Sequence, residues 1–343
     1  MNKFGYRFSF GPWNVHEGAD PFGPPVRPTL SFDDKLDVYK DLGFDGVQFH
    51  DDDAVPNLDD LTPDQIRQQA EAWQRRLADN GLVAEFVAPR LWEHPMTIDG
   101  AFTANDGVAR MYALDRAKKS VDIARYLNTD LIVLWLAREG SYLRESKDAV
   151  RATQQLVAAV DMLLEYDPDI RIIVEPKPNE PMDLAYIPTM GHGLALGSQT
   201  VDPSRVGVLM ESAHAVLAGL DPSDELAFAL AMGKLWGVHL NDQNGLKFDQ
   251  DRSFGSVDLR RAFNQVRVLD ENEYWNIGMV GLDVKALRTQ PAELASKHLR
   301  NSLDMFLRLV ERSRALDRNA INELVAARDY EELDWLILDH LMA

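Results

Sequence analysis

Carboxylate and imidazole side chains in this sequence fall repeatedly at the ends of short apolar runs that are typical of buried strands. An ionised carboxylate in apolar surroundings costs several kcal/mol unless it is paired. Acidic residues that recur at strand ends along the whole chain therefore suggest one shared site, and a metal site is the most economical explanation. The predicted ligands are Glu175, Glu211, His214, His239, Asp249, Asp251 and Asp283.

These candidate ligands divide into two groups. The first group comes from four different strand ends and consists of Glu175, Glu211, His239 and Asp283. The second consists of His214, Asp249 and Asp251, with Glu211 as a bridge. Mg²⁺ and Mn²⁺ take hard oxygen ligands, and imidazole is readily added for Mn²⁺, Co²⁺ or Zn²⁺. Any one of these acids alone could instead form a salt bridge or cap a helix, but the whole set predicts a metal site.

Three further residues are candidates for catalysis. His50 ends the run VQFH and is followed by three aspartates, and an imidazole beside the Asp53 carboxylate is a ready general acid–base pair. The aspartates could equally be helix-end residues or surface charge. Lys177 lies two residues beyond Glu175 and therefore on the same face of the strand. Its ammonium could polarise a substrate oxygen, neutralise the metal carboxylates, or do both.

Four aromatic residues near strand ends are candidates for substrate binding, because flat apolar rings commonly line sugar pockets. They are Trp13, Phe22, Trp92 and Trp135. For any one of them core packing is the simpler explanation, but not for all four together.

The elements that must position these residues alternate along the chain. Apolar segments rich in Val, Ile, Leu and Phe predict buried parallel strands at 6–11, 43–50, 83–89, 129–137, 171–178, 206–212, 235–241 and 276–283. Helical periodicity predicts helices between them, for example at 32–42, 62–80, 106–127, 145–166, 222–233 and 256–269. Eight such β/α units predict a (β/α)8 TIM barrel, in which the active site lies at the C-terminal ends of the strands.

A helical extension is expected after the barrel. We assign residues 1–290 to the barrel domain and 291–343 to the last barrel helix and a C-terminal helical arm. The final segment carries an apolar face that includes Leu333 and Trp335, and this face could dock on the same barrel or on a partner subunit.

Composition limits the classes of function. The chain has 343 residues, no cysteine and a net charge of −19, so disulfides and thiolate metal sites are excluded. Such an acidic surface repels phosphate backbones and anionic lipids, which argues against nucleic-acid and membrane partners. No apolar run reaches the roughly 18 residues of a membrane span. The N-terminus lacks signal-peptide features, so a cytoplasmic protein is expected.

From about residue 7 to its C-terminus the sequence resembles the xylose isomerase family. The matching strings are DPFG at 20–23, FHDDD at 49–53, GAFTAND at 100–106, REG at 138–140, EPKPNEP at 175–181, QNGLKFDQD at 243–251 and DHL at 339–341. The resemblance implies one metal held by Glu175, Glu211 and Asp283, which binds sugar hydroxyls. It implies a second metal, carrying a mobile water, held by Glu211, His214, Asp249 and Asp251.

The same resemblance implies roles for the remaining residues. His50 with Asp53 would assist ring opening, and Lys177 would polarise the carbonyl oxygen. Trp92 and Trp135 would shield a migrating hydride. Phe22 would reach into the pocket of a neighbouring subunit, which implies a homo-oligomer, either a dimer or a tetramer.

Departures from the family pattern bear on the cation and the substrate. His239 stands where the family has an aspartate ligand, and Leu209 replaces an asparagine before Glu211. A neutral imidazole favours Mn²⁺, Co²⁺ or Zn²⁺ over Mg²⁺. Rhamnose isomerases and tagatose-type epimerases also place a histidine at that point. We therefore expect one or two divalent cations, with Mn²⁺ favoured and Mg²⁺ or Co²⁺ as alternatives.

The function expected from these features is metal-dependent interconversion of an aldose and a ketose by hydride shift. The alternative is a lyase or epimerase of the same superfamily, such as the large subunit of a C-glycoside deglycosidase, which acts on 3-oxo sugars with a small partner subunit. A catalytically silent sugar- or metal-binding protein is a third class. Both enzyme classes take a small carbohydrate as the substrate.

Overall fold

Apolar, β-branched runs form the strands of this protein, as their composition predicts. The computed structural model describes residues 2–343, and these form ten strands: β1 (Phe8–Phe10), β2 (Gly46–His50), β3 (Val83–Ala88), β4 (Leu131–Trp135), β5 (Gly140–Ser141), β6 (Arg171–Glu175), β7 (Leu184–Ala185), β8 (Val206–Glu211), β9 (Leu235–His239) and β10 (Val280–Gly281). Eight of them close a parallel barrel in the order β1-β10-β9-β8-β6-β4-β3-β2. Strand β1 pairs with both β10 and β2, which closes the ring.

The helices surround this barrel and extend beyond it. They are α1 (Phe32–Leu42), α2 (Asp51–Ala54), α3 (Pro63–Asp79), α4 (Gly107–Tyr126), α5 (Ala149–Tyr166), α6 (Met190–Ser198), α7 (Ser212–Leu217), α8 (Pro222–Ala231), α9 (Leu259–Glu271), α10 (Lys297–Ala315), α11 (Arg318–Ala327) and α12 (Tyr330–Met342). Among residues 2–343, no helix combines the length and apolarity that a membrane crossing requires.

The predicted (β/α)8 barrel is confirmed, with every predicted strand in its place. Most strand bounds are shorter than predicted, since the predicted runs 129–137 and 276–283 include residues that leave the ladder after Trp135 and Gly281. Helix α6 and the small antiparallel pair of β5 and β7 were not predicted. Helix α6 contains three glycines and no charged residue, which weakens the helical pattern.

Capping residues determine where the helices begin and end, and therefore where the chain can begin the next strand. The Ser31 hydroxyl accepts from the Asp34 backbone N–H, and Thr62 and Gln65 form a reciprocal capping box. Gly43 ends α1 with φ of 78°, a left-handed conformation that glycine adopts without steric cost. The chain then turns directly into β2.

Helix α10 closes the outer layer of the barrel. Its residues Leu299 and Phe306 are fully buried in the main hydrophobic core. Helix α12 packs against the same chain, since Ile337 is buried and the His340 Nε2–H faces the Arg312 carbonyl at 2.7 Å. Trp335 on this helix remains 58% exposed. The apolar face of α12 thus docks in part on its own subunit. The boundary between the barrel domain and the helical arm at residue 290 stays a prediction.

Candidate metal centre and active site

The predicted metal ligands converge at the C-terminal end of the barrel. Glu175, Glu211 and His239 are the last residues of β6, β8 and β9, so the parallel ladder itself brings them side by side. The others follow strands directly or lie in the loop between β9 and α9. All seven line one cavity of about 450 Å³: Glu175, Glu211, His214, His239, Asp249, Asp251 and Asp283.

The first group of ligands surrounds the ring of His239. Its Nδ1 lies 3.3 Å from Glu175 Oε1, 3.6 Å from Glu211 Oε2 and 3.8 Å from Asp283 Oδ2. Donor atoms of Glu211, His239 and Asp283 all lie within 4.8 Å of one another. One cation could therefore contact all of them.

The second group adjoins the first through a shared carboxylate. His214 Nε2 lies 3.3 Å from Glu211 Oε1 and 3.1 Å from Asp249 Oδ2. Glu211, Asp249 and Asp251 also offer donor atoms within 4.8 Å of one another. Because Glu211 contributes to both groups, it is placed to bridge two cations.

Two orphaned atoms indicate that this cluster fits a cation. His214 Nδ1 and Asp249 Oδ1 are buried without a hydrogen-bond partner, whereas nearly all buried polar atoms have one. The donor set of carboxylate oxygens and imidazole nitrogens suits Mn²⁺, Co²⁺ or Zn²⁺. The ligand roles themselves stay a prediction.

Crowding and burial shift the protonation of the cluster. Burial raises the pKa of Glu211 well above its usual value, and burial together with Asp249 does the same for Asp251. For His239, burial would lower the pKa, but Glu175 and the neighbouring carboxylates outweigh it and raise the pKa well above the usual value. Without a cation, these three groups therefore hold their protons to higher pH than isolated side chains of the same type.

Metal binding is accordingly expected to release protons, and the apparent affinity should rise with pH. Glu211, Asp251 and His239 each have a raised pKa, so protons compete with the cation below those values and the competition fades as pH increases. Calorimetric titration with Mn²⁺ in two buffers of different ionisation enthalpy measures the protons released. Equal heats in both buffers and a pH-independent affinity would contradict this expectation.

A glutamine in β2 orients the His239 ring from behind. His239 Nε2 lies 3.1 Å from Gln48 Oε1, while Gln48 Nε2 donates to Ser9 Oγ at 3.1 Å and to Glu85 Oε2 at 3.0 Å. Because an amide oxygen only accepts, Nε2 of His239 carries the proton and Nδ1 is the atom available to a cation. Sequence reasoning missed Gln48, although a glutamine inside a buried strand is a usable signal.

Replacing Gln48 by leucine should lower metal affinity by roughly 10- to 100-fold, because the ring of His239 loses the contact that orients it. Competition against a fluorescent chelator measures the change. Gln265→Leu is the matched control, since it removes a buried amide bonded to Ser212 at 2.6 Å and does not line the cavity. If both variants bind the metal with equal affinity, the Gln48 contact is unimportant for metal binding.

Lys177 presents an ammonium group to the cavity. Its Nζ lies 2.9 Å from Asp249 Oδ2 and 5.2 Å from the centre of the Trp135 ring. Burial would lower the pKa of Lys177, but the Asp249 carboxylate outweighs burial and raises it. The side chain therefore stays charged at the edge of the ligand cluster.

His50 lines the same cavity at the end of β2, where α2 begins. Its Nδ1 lies 3.2 Å from Asp53 Oδ2, as the predicted acid–base pair requires, but also 2.7 Å from Arg90 Nη2. The aspartates after His50 form the start of α2, which is the helix-end alternative, and Asp51 is buried against Arg116 at 2.8 Å.

Three of the four predicted substrate-binding rings line the cavity: Trp13, Trp92 and Trp135. Trp13 lies 4.3 Å from the His50 ring, and its Nε1 donates to Asp283 Oδ1 at 2.8 Å. Phe22 is different, because it does not line the cavity and is 78% exposed. Its ring contacts that of Phe248 of its own chain edge to face, with ring centres 5.4 Å apart.

Several cavity residues were not predicted from the sequence: Phe86, Arg90, Val133, Glu180, Phe248 and Lys285. Lys285 pairs with Asp251 and follows Asp283 by two residues. The same spacing that identified Lys177 after Glu175 would have found it. Arg90 directly follows the predicted strand 83–89, so the position of a polar residue after an apolar run would have found it as well. The other four carry no comparable signal.

Comparisons with known proteins agree with this architecture. A family model described as xylose isomerase-like TIM barrel matches residues 36–302. A D-tagatose 3-epimerase-like protein has a TM-score of 0.64 at 15% identity over 90% of this chain and 100% of its own. The IOLI protein, solved with a zinc atom, has a TM-score of 0.63 at 13% identity over 90% of this chain and 100% of its own.

A xylose isomerase domain protein from Alicyclobacillus acidocaldarius subsp. acidocaldarius has a TM-score of 0.62 at 17% identity, covering 89% of this chain and 99% of its own. At such identities the solved structures share the fold, whereas the family model covers most of the sequence. The chain belongs to the xylose isomerase-like TIM barrel family.

Proposed function

We propose that this protein is a divalent-metal-dependent sugar isomerase that interconverts an aldose and a ketose by hydride shift. The observation that carries the proposal is the buried Lys177 ammonium beside a double cluster of candidate cation ligands. A wall of three tryptophans in the same cavity gives the site the apolar surface that a sugar ring needs.

The chemistry divides between cation and protein. A divalent cation held by the cluster would bind adjacent sugar oxygens and polarise the carbonyl group. Lys177 places a positive charge where an oxygen becomes negative as hydrogen moves between C1 and C2. The rings of Trp92 and Trp135, 4.5 Å apart, exclude water from the path of that hydrogen.

The remaining carboxylates of the cavity support hydride transfer over proton transfer. Outside the ligand cluster, the described cavity lining contains two glutamates, Glu93 and Glu180. Glu93 pairs with Arg90 at 3.2 Å, and Glu180 accepts from the Asp249 backbone N–H at 2.9 Å. Neither forms part of a carboxylate pair that is free of cation ligands, so a proton-transfer route would have to use carboxylates of the ligand cluster itself.

A lyase or epimerase is the second candidate. It is favoured by the imidazole of His239 in the first ligand group and by the likeness in fold to a D-tagatose 3-epimerase-like protein. A deglycosidase of this class would act on a 3-oxo sugar together with a small partner subunit.

Turnover in deuterated water distinguishes these reactions. The protein with Mn²⁺ is incubated with a panel of aldoses and ketoses, and products are identified by NMR. The isomerase gives a ketose without deuterium at C1 from an aldose, or an aldose without deuterium at C2 from a ketose, and a chelator stops the reaction. Deuterium at these positions would contradict the hydride route, deuterium at C3 would indicate an epimerase, and cleavage of a 3-oxo C-glycoside alone would indicate the lyase.

We further propose a homo-oligomer, supported by Phe22, which extends its ring into solvent from the loop after β1. Phe22→Ser should lower the molar mass measured by light scattering at low protein concentration, because an exposed aromatic anchor contributes strongly to an interface. Phe228→Ser, at a 44% exposed ring on α8, is the control. A monomeric wild-type protein would refute the proposal.

A further inference from the structure

The contact between Arg90 and His50 assigns a role that the family resemblance does not provide. Arg90 Nη2 lies 2.7 Å from His50 Nδ1, within the range of a strong hydrogen bond. A guanidinium has five N–H donors and no acceptor, and it does not lose its charge in proteins. In this contact Nδ1 of His50 can act only as the acceptor, which requires that it carry no proton.

The Arg90 guanidinium is held in this position by other contacts. Its Nε donates to Asp52 Oδ1 at 2.8 Å and its Nη1 to Glu93 Oε1 at 3.2 Å. The ring of Trp92 lies under the guanidinium at 5.4 Å. With both of these nitrogens engaged, Nη2 is directed at His50.

The Asp53 carboxylate does not need a proton from the His50 ring. Its Oδ2 already accepts the backbone N–H of His50 at 2.9 Å, and its Oδ1 lies 3.6 Å from Arg90 Nη2. Asp53 therefore neutralises Arg90 and caps α2, while its distance to His50 Nδ1, 3.2 Å, is longer than the arginine contact.

We infer that Arg90 is a positioning residue that holds His50 in the Nε2–H tautomer. His50 then offers the cavity a hydrogen-bond donor rather than a base, since one ring nitrogen carries a proton and the other faces a cation. The chemical group that it recognises is an uncharged or developing anionic oxygen of the ligand, such as a ring oxygen or carbonyl. The role toward a sugar rests on the proposed function, whereas the tautomer does not.

Nitrogen-15 NMR of histidine-labelled protein loaded with Mg²⁺, which is diamagnetic, tests the tautomer directly. His50 is assigned by the signals that vanish in His50→Gln. The wild-type ring should show a protonated Nε2 and an unprotonated Nδ1. A proton on Nδ1, or on both nitrogens at neutral pH, would overturn the inference without any variant of Arg90.

Two variants of Arg90 separate tautomer control from a merely structural role. Arg90→Met should move the proton to Nδ1, where Asp53 is the remaining acceptor, and Arg90→Lys should retain the wild-type pattern because it keeps a cationic donor. An unchanged pattern in folded Arg90→Met would also overturn the inference. If no sugar is turned over but the tautomer shifts as stated, the proposed function fails and the role of Arg90 stands.

Discussion

Replacing Lys177 by methionine should lower kcat for sugar isomerisation by about 10²- to 10³-fold, the usual loss when one group that stabilises a developing oxyanion is removed. Methionine keeps the unbranched apolar stem of the side chain and lacks the ammonium group. KM should change far less, because the ammonium acts mainly in the transition state. Steady-state kinetics with saturating Mn²⁺ measures both constants.

The control for this variant must separate chemistry from folding and metal binding. Lys177→Met leaves the buried Asp249 carboxylate without its ammonium partner at 2.9 Å, so stability is checked by circular dichroism and metal content by elemental analysis. Lys40→Met removes an exposed ammonium from α1 and should leave kcat unchanged. A Lys177→Met enzyme with full metal content and kcat within a few-fold of wild type would refute the proposed role.

Replacing Glu211 by glutamine should remove both cations and abolish turnover. Glu211 is 2% exposed and offers a ligand atom to each of the three candidate clusters. Loss of the metal would withdraw several kcal/mol of transition-state stabilisation, so we expect activity to fall by roughly 10³-fold or more. Metal content after dialysis and activity with added Mn²⁺ are the measurements.

The metal-free Glu211→Gln protein should nevertheless fold as well as metal-free wild type. Burial raises the pKa of Glu211 well above its usual value, which favours the neutral carboxyl without a cation, and glutamine resembles that neutral form. The Asn241 amide can still donate to the retained oxygen, as it does at 2.9 Å. Glu139→Gln, another buried glutamate but one held by Thr103 at 3.0 Å, should keep its metal. Equal metal content in both variants would contradict the assignment of Glu211.

Much of the architecture and of the site could be predicted from local sequence patterns. Continuous apolar runs with helical segments between them predict the parallel barrel, and helix-capping residues such as Ser31 and Gly43 mark the turns. Because parallel strands end at one rim, a polar residue that follows such a run has a known location. This rule alone brings Glu175, Glu211 and His239 together, although they lie far apart along the chain.

Tertiary structure decided what surrounds those residues. Arg90 reaches His50 across 40 positions, and Gln48 reaches His239 across 191, so neither contact leaves a periodic pattern in the sequence. The sequence leaves Asp51 open as a helix-end residue or as surface charge, and it is the closed barrel that buries it at the start of α2 against Arg116. The order of the strands determines which side chains share a rim. Rotamers and packing determine which nitrogen of an imidazole contacts which neighbour, and this packing exists only in the closed barrel.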